Sequence, residues 1–295
     1  MKERRLIINA DDFGLTRGVN LAIADCLECG VLRSATLMAN GEAFDDAVAA
    51  AKKHPNLGVG IHFVLTGLPP LSAPESIPEL LGGEGCLPAG LGLLIKRMLT
   101  GRKNIQNEIR KELFAQAEKV FDSGIVPTHF DCHKHVHLIP AVLDAVIEIA
   151  RRYSVKWIRT PFENQSALSF ISGIEKDKKS IFLKQFGVAA ASRSVYPFFR
   201  SRVWRSGIRT PDLFFGIAAT GLMNEEAFRI ICRKLKPGVS ELMTHPGYVD
   251  EDLMSVNTRL LESRDMERKL LVSENVKDIL VRNRIILSHF GEVNQ

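Results

Sequence analysis

The chain has 295 residues, of which 45% are hydrophobic and 25% charged, with a formal net charge of +5. These values are typical of a globular protein and exclude a disordered or fibrous chain. No run of about 18 apolar residues is free of glycine, proline or charge, so no membrane span is predicted. The apolar run at residues 6–8 is too short for a signal peptide, which predicts a cytoplasmic protein.

Strand and helix patterns alternate in the first part of the chain. The strand patterns lie at residues 6–10, 31–38 and 57–65, and the helical patterns at 17–29 and 43–53. This order is typical of parallel βαβ units. Residues 66–92, with five prolines and six glycines, interrupt the order and predict a long surface loop.

The alternation returns after this loop. The helical patterns lie at 105–121, 140–152, 225–235 and 259–281, and the strand patterns at 126–131, 155–159, 213–218, 239–244 and 284–287. Residues 162–209 are a second interruption, with weak helical patterns. Because strands are predicted on both sides of each interruption, we expect one α/β domain over residues 1–295. It is a (β/α) barrel with insertions at about 66–92 and 162–209.

Acidic residues and histidines gather where the predicted strands end. They are Asp11 and Asp12 after the first strand, His62 in the third, His129, Asp131, His133, His135 and His137 around the fourth, and His245 after the strand at 239–244. In α/β barrels the active site is built at the C-terminal ends of the strands. These residues are therefore the candidate functional residues.

The polar residues from 129 to 133 alternate with their neighbours. In an extended chain, side chains two positions apart point to one side, so His129, Asp131 and His133 are predicted to share a face. One metal ion cannot use every histidine here. His135 and His137 are explained equally well by hydrogen bonds to neighbouring loops.

The pair Asp11 and Asp12 predicts two roles for two carboxylates. One can bind a cation while the other stays free as a general base. A helix N-cap is the common alternative for Asp, but the helical pattern begins only near residue 16 or 17. One Asp with two histidines and open positions is typical of a catalytic metal site, and imidazole suits Zn²⁺ or Mn²⁺ better than Mg²⁺.

The segment 178–211 has no acidic residue and combines eight lysines and arginines with six aromatic residues. It is typical of a surface for nucleic acid, a membrane or an anionic ligand, and equally of a solvated insertion. Nucleic-acid binding through residues 178–209 is one alternative function, but it leaves the strand-end histidines unexplained. A metal-dependent phosphoester hydrolase or a glycosidase is another, and glycosidases need two carboxylates rather than histidines.

Four motifs resemble those of the YdjC-like carbohydrate deacetylases, which include the chitooligosaccharide deacetylases. They are NADDFG at 9–14, GIHFVLT at 60–66, THFDCHKHVH at 128–137 and ELMTHPG at 241–247, in the family's order. The resemblance implies a distorted (β/α) TIM-like barrel, a homodimer and one divalent metal ion, Mg²⁺ in the family. It also implies a reaction, the removal of acetate from an N-acetylated amino sugar.

The resemblance also implies roles for individual residues. Asp12, His62 and His133 are implied as metal ligands, Asp11 as the general base, and His245 as the proton donor. Arg159, at a predicted strand end, is a candidate for orienting Asp11. Arg159 and Asp131 are in addition candidates for substrate binding.

Residues 204–221, with the sequence WRSGIRTPDLFFGIAATG, resemble the hopanoid-biosynthesis-associated branch of the family. That resemblance implies that the substrate is an N-acetylglucosamine carried on a hopanoid lipid. We then expect the basic segment to touch the inner face of the membrane, and no nucleic-acid partner. A soluble chitooligosaccharide is the alternative substrate.

Overall fold

Parallel strands form one curved sheet in the computed structural model, which describes residues 3–81, 85–100, 104–163 and 165–294. The strands are β1 (Arg4–Phe13), β2 (Ser34–Leu37), β3 (Gly58–Phe63), β4 (Phe130–Cys132), β5 (Leu213–Phe215), β6 (Gly238–Thr244) and β7 (Ile285–Leu287). Their order is β4-β3-β2-β1-β6-β5, and β7 pairs with the start of β1. Single bridges from Phe130 to Ile158 and from Trp157 to Arg209 continue the sheet beyond β4. The curled sheet confirms the predicted distorted TIM-like barrel.

Helices connect the strands, as parallel pairing requires. They are α1 (Arg17–Glu28), α2 (Phe44–Lys53), α3 (Pro78–Leu81), α4 (Leu91–Thr100), α5 (Ile105–Asp122), α6 (Pro140–Arg152), α7 (Lys179–Ser192), α8 (Tyr196–Arg205), α9 (Glu225–Lys234), α10 (Glu251–Ser255), α11 (Glu262–Leu271) and α12 (Glu274–Arg282). Within the described ranges, no helix combines the length and apolar character needed to cross a bilayer.

The central strand β1 runs past the predicted strand end and includes both aspartates. Its residues 4–10 pair with β6, and its later residues pair with β2. The pairing with β2 shifts between Ala10 and Phe13, and Asp12 between them has a φ of 66°. This left-handed conformation is uncommon outside glycine but is tolerated by Asp. The strand therefore kinks at Asp12. The N-cap of α1 is Thr16, whose Oγ1 accepts a hydrogen bond from the Val19 N–H, so neither aspartate caps that helix.

Three predicted elements are shorter than expected or divided. The predicted strand at 126–131 is the three-residue β4, and a 3₁₀ segment at His133–Leu138 follows directly. Lys134 and His135 have φ values of 53° and 54°, so the chain turns there and the alternation ends. The strand predicted at 155–159 consists of bridges at two residues. The helix predicted at 259–281 is divided into α11 and α12.

The first predicted insertion is more ordered than a surface loop. It contains α3 and the start of α4, while its residues 82–84 lie outside the described residues. Helix α5 holds it with three buried side chains four residues apart. Glu108 accepts the Leu80 N–H at 2.8 Å, and Glu112 accepts the N–H groups of residues 71 and 72 at 3.0 and 2.9 Å. Gln116 accepts the Val64 N–H at 2.9 Å. Main-chain groups that would otherwise be unpaired are thus satisfied by one helix face.

The basic segment of the second insertion is partly used for packing. Phe199 of α8 is 2% exposed, and its ring lies 5.2 Å from that of Phe162. Arg202 forms an ion pair with Asp144 of α6. Arg202 stays exposed beside Asp144, and of these two side chains only Phe199 is withdrawn into the core, where α8 packs against α6. Trp204, in contrast, is 78% exposed.

We expect Glu112→Ala to lower the free energy of unfolding by about 2–4 kcal/mol, because it leaves two half-buried main-chain N–H groups and one N–H of the buried Gln116 Nε2 without an acceptor. Urea unfolding followed by circular dichroism measures the change. The matched control is Glu118→Ala, which removes an exposed carboxylate from the same helix and should unfold like the parent. Equal stability of both variants would contradict the role of Glu112.

Candidate active site

The strand-end residues meet around a cavity of about 730 Å³ at the C-terminal edge of the sheet. Its inner wall is formed by side chains from β1, β3 and the segments after β4 and β6: Asp11, Asp12, His62, His133 and His245. These residues are far apart in the chain. The parallel sheet brings them together because every strand ends at the same edge.

Asp12, His62 and His133 form a group with the geometry of a metal site. Asp12 Oδ1 lies 3.4 Å from His62 Nε2 and 3.3 Å from His133 Nδ1. The three potential ligand atoms lie within 4.8 Å of one another, and Asp12 Oδ1 is buried without a hydrogen-bond partner. A buried carboxylate oxygen without a partner is costly. Two nitrogens and one oxygen fit a divalent first-row transition ion with open coordination positions.

Asp131 fixes the ring of His62. Its Oδ1 lies 2.6 Å from His62 Nδ1, and its Oδ2 accepts a hydrogen bond from Thr36 Oγ1 at 3.1 Å. Burial lowers the pKa of His62, but the charge of Asp131 outweighs it and the pKa rises to about 10. A hydrogen bond from Nδ1–H to a carboxylate leaves Nε2 directed towards Asp12. This is the usual arrangement behind a metal-binding histidine.

Arg159 is fully buried among three carboxylates. Its Nη1 and Nη2 donate to the two oxygens of Asp11, each at 2.6 Å. Nη1 also lies 2.7 Å from Asp131 Oδ2, and Nε donates to Glu241 Oε1 at 2.7 Å. Burial would raise the pKa of Asp11, but the Arg159 charge and hydrogen bonds hold it well below its usual range. Asp11 is thus ionised and fixed in orientation.

His245 lies on the other side of Asp11. Its Nε2 is 4.0 Å from Asp11 Oδ2, and its main-chain N–H donates to Glu267 Oε2 at 2.6 Å. Burial lowers the pKa of His245 to about 4, against the opposing charge of Asp11. The imidazole is therefore neutral at neutral pH and carries one N–H.

Asp12 is held from behind by Arg264 of α11. Arg264 Nη2 donates to Asp12 Oδ2 at 2.5 Å. Burial would raise the pKa of Asp12, but the Arg264 charge and the two histidines hold it well below its usual range. Each of the paired aspartates therefore has its own buried arginine.

Besides His245, three of the candidate histidines lie outside the metal-type group. His129 stacks on Phe290 with ring centroids 3.9 Å apart, and its Nε2 lies 3.1 Å from Asn9 Oδ1, one layer below the cavity. His137 is buried, with Nε2 3.2 Å from the Arg159 carbonyl oxygen. His135 lines the cavity. Of the three residues predicted to share a face, His133 thus lines the cavity, while His129 and Asp131 lie deeper in the protein.

Arg159 and Asp131, the two candidates for substrate binding, are both 0% exposed and do not line the cavity. Their contacts are with Asp11, His62 and Glu241, one layer behind the surface that a substrate would touch. The geometry thus gives these two residues a positioning role.

The sequence analysis missed Arg264 and Glu267, which reach the site from α11. Both are buried, and they lie three residues apart on the helix face that also carries buried Leu271. Charged residues on the buried stripe of an amphipathic helix are a signal that sequence inspection could have used, since such residues are rarely buried unless paired. Asn9 and Thr36, which bond Asp11 and Asp131, have no such signal.

The chain is similar to known proteins over nearly its whole length. The family model described as YdjC-like protein matches residues 5–282. A carbohydrate deacetylase of Brevibacillus brevis is 34% identical over 289 residues, covering 98% of this chain and 99% of that protein. One of Geobacillus stearothermophilus is 35% identical over 253 residues, covering 85% and 83%.

A solved structure shares the fold. The crystal structure of an Enterococcus faecalis protein, described as a candidate cellobiose-phosphate cleavage protein, superposes with a TM-score of 0.79. It is 22% identical and the alignment covers 99% of each chain. The match to the family model over nearly the whole chain and the identity to the two deacetylases lead to one conclusion: the chain belongs to the YdjC-like family.

Proposed function

We propose that this protein is a metal-dependent carbohydrate N-deacetylase that removes acetate from an N-acetylated amino sugar. The observation that carries the proposal is the unpartnered buried Oδ1 of Asp12, which faces two histidine nitrogens beside the second carboxylate, Asp11. The similarity to carbohydrate deacetylases of two bacteria supports the class of substrate.

Asp12, His62 and His133 would hold the metal ion. The nitrogen-rich donor set favours Zn²⁺ or Mn²⁺, while the family resemblance favours Mg²⁺. A bound divalent cation would polarise the acetamide carbonyl and make a water molecule more acidic. Asp131 keeps the His62 ring in the orientation that such an ion needs.

Asp11 and His245 carry the proton transfers in this proposal. Arg159 keeps Asp11 ionised, so its Oδ2, on the side of His245, accepts the proton of the attacking water. His245, neutral at the start, takes up this proton from Asp11 on Nε2, which lies 4.0 Å from Asp11 Oδ2, and the resulting imidazolium donates it to the leaving amine. The hydrogen bond between its main-chain N–H and Glu267 keeps the ring at this position. One proton thus moves from the water through Asp11 and His245 to the amine, as general acid–base catalysis requires.

The outer wall of the cavity supports a substrate that carries an apolar group on the sugar. This wall is contributed by the start of the first insertion, α7 and the segment before α11, and its apolar members include Leu68, Ile181, Val188, Val256 and Leu260. Among residues that the structure describes, no phenylalanine, tyrosine or tryptophan lines the cavity. Successive sugar rings commonly stack on aromatic faces, so this wall favours a lipid-linked N-acetylglucosamine, as in a hopanoid glycolipid, over a chitooligosaccharide.

Acetate release from a panel of N-acetylglucosamine compounds tests the activity. The panel contains an alkyl glycoside with a long chain, the free sugar, and a chitooligosaccharide, each assayed with Mg²⁺, Mn²⁺ or Zn²⁺ after removal of bound metal. We expect release that requires the added metal and is fastest with the alkyl glycoside. No release from any compound would contradict the proposed activity, and preference for the chitooligosaccharide would contradict the lipid-linked substrate.

Variants of the two adjacent aspartates should separate a loss of catalysis from a loss of metal binding. Asp11→Asn is expected to keep metal binding and to lower kcat by about 10²–10⁴-fold, because the general base is lost. Asp12→Asn should lose metal binding as well, because a carboxylate ligand becomes a neutral amide. Metal content of the purified variants and acetate release provide the two measurements. Equal loss of metal in both variants would contradict the separate roles.

Asp131→Asn tests the support behind His62. We expect the affinity for the metal ion to fall by about 10–100-fold, because the ring is no longer fixed by a charged partner. The matched control is Asp144→Asn, which removes an exposed carboxylate that pairs with Arg202. Titration calorimetry of the metal-free proteins measures both. Parent-like affinity in Asp131→Asn would rule out this role.

A lipid-linked substrate requires contact with a membrane, and the second insertion offers a surface for it. Helix α7 has Ile181, Leu183 and Val188 exposed, and Trp204 of α8 is exposed as well. Exposed apolar side chains within a segment that lacks acidic residues suit an anionic bilayer. We propose peripheral binding through these residues. The homodimer implied by the resemblance and the cytoplasmic location expected from the N-terminal sequence stay predictions.

Flotation with vesicles that contain phosphatidylglycerol tests this surface. We expect binding that weakens at high salt and is lost in a double variant, Arg200→Glu with Trp204→Ser, while turnover of the free sugar is unchanged. Arg282→Glu, with the same change of charge at an exposed position of α12, is the control and should still bind. Binding by the double variant equal to that of the parent would show that this surface does not meet the bilayer.

A further inference from the structure

Arg264 is a buried arginine with a fixed position behind Asp12. Nη2 donates to Asp12 Oδ2 at 2.5 Å, and Nε donates to the Leu260 carbonyl at 3.1 Å. The residue is 2% exposed. Gly247 packs against its aliphatic part so closely that a Cβ at the glycine would lie 3.0 Å from Arg264 Cδ. The guanidinium therefore has little room to move.

This contact leaves Asp12 only one free oxygen. The φ of 66° at Asp12 breaks the strand geometry there, and Oδ2 is occupied by the guanidinium. Oδ1, in contrast, accepts no hydrogen bond and is the oxygen near the nitrogens of His62 and His133. A cation in this group would meet one carboxylate oxygen and two imidazoles.

The number of available oxygens separates classes of metal ion. Ca²⁺ takes six to eight oxygen ligands and commonly binds carboxylates through both oxygens. Transition ions such as Mn²⁺ and Zn²⁺ accept imidazole nitrogens with a single carboxylate oxygen. The positive charge of Arg264 also offsets the charge of Asp12, so this carboxylate attracts a cation by charge less than an unpaired one would.

We propose that Arg264 is a positioning residue that sets the metal selectivity of this site, by restricting Asp12 to a single-oxygen ligand and so disfavouring Ca²⁺. The inference rests on the metal site of the proposed function. It goes further because it assigns the choice of ion to a residue that is not itself a ligand.

Metal titration of the metal-free protein by calorimetry, with Mn²⁺ and with Ca²⁺, tests the inference without measuring activity. In Arg264→Met we expect the ratio of Mn²⁺ to Ca²⁺ affinity to fall about tenfold or more, because the freed Oδ2 becomes a second oxygen ligand. The visible absorption of bound Co²⁺ should also weaken in this variant, since it falls as the coordination number rises. Arg268→Met, which removes a positive charge from the same helix outside the site, should keep the parent's ratio and spectrum.

The outcomes separate this inference from the proposed function. A parent protein that binds none of the three ions overturns the metal site and the inference together. A parent that binds Mn²⁺, with the same affinity ratio and Co²⁺ spectrum in Arg264→Met, overturns the role of Arg264 alone. If Arg264→Met does not fold, Arg264→Gln serves in its place, because its neutral and shorter side chain ends before Asp12. The same fall in the ratio is expected, and a parent-like ratio overturns the inference.

Discussion

The ion-pair network around Arg159 is the interaction on which the rest of the site depends. Three strands, β1, β4 and β6, each direct a carboxylate into the closed interior of the barrel, and all three carboxylates contact one guanidinium. Buried carboxylates without a counter-charge would be too costly to keep ionised. A planar cation with five donors can bind three acids at fixed angles, which a lysine could not do. The same contact holds Asp11 and Asp131 in place, and Asp131 in turn holds His62.

A second buried arginine, Arg264, forms a comparable ion pair with the neighbouring aspartate, Asp12. Arg159 comes from the edge of the sheet and Arg264 from a C-terminal helix, and each keeps one of two adjacent carboxylates ionised. The two arginines differ in how many carboxylate oxygens of their aspartate they bond. Arg159 bonds both oxygens of Asp11, whereas Arg264 bonds one oxygen of Asp12 and leaves the other facing the histidines. Two residues of the same type, next to each other in the chain, thereby acquire different chemistry from their surroundings.

The sequence predicted the barrel and most of the site because both depend on local patterns. Strand ends are visible as apolar runs, and the parallel order predicts that Asp11, Asp12, His62 and His245 converge. The positions of His135 and His137 were not predictable, because they depend on left-handed residues at Lys134 and His135, which no periodicity reveals. The contact of Arg264 with Asp12 was not predictable either, because no local signal in a helix identifies a partner that lies 252 positions away in the chain. The sequence pattern does not predict contacts that arise only from tertiary packing.

The position of β1 in the sheet has a consequence for the protein while it is being synthesised. This strand is translated before β6 and β7, and it pairs with both of them. Until residues 159 and 264 have been translated, Asp11 and Asp12 have no counter-charge, so a burial of β1 at that stage would enclose two unpaired carboxylates. Contacts of such long sequence separation form slowly. A stable burial of β1 is therefore expected only after residue 264 has been translated, and until then the N-terminal βαβ units are expected to leave apolar surface exposed.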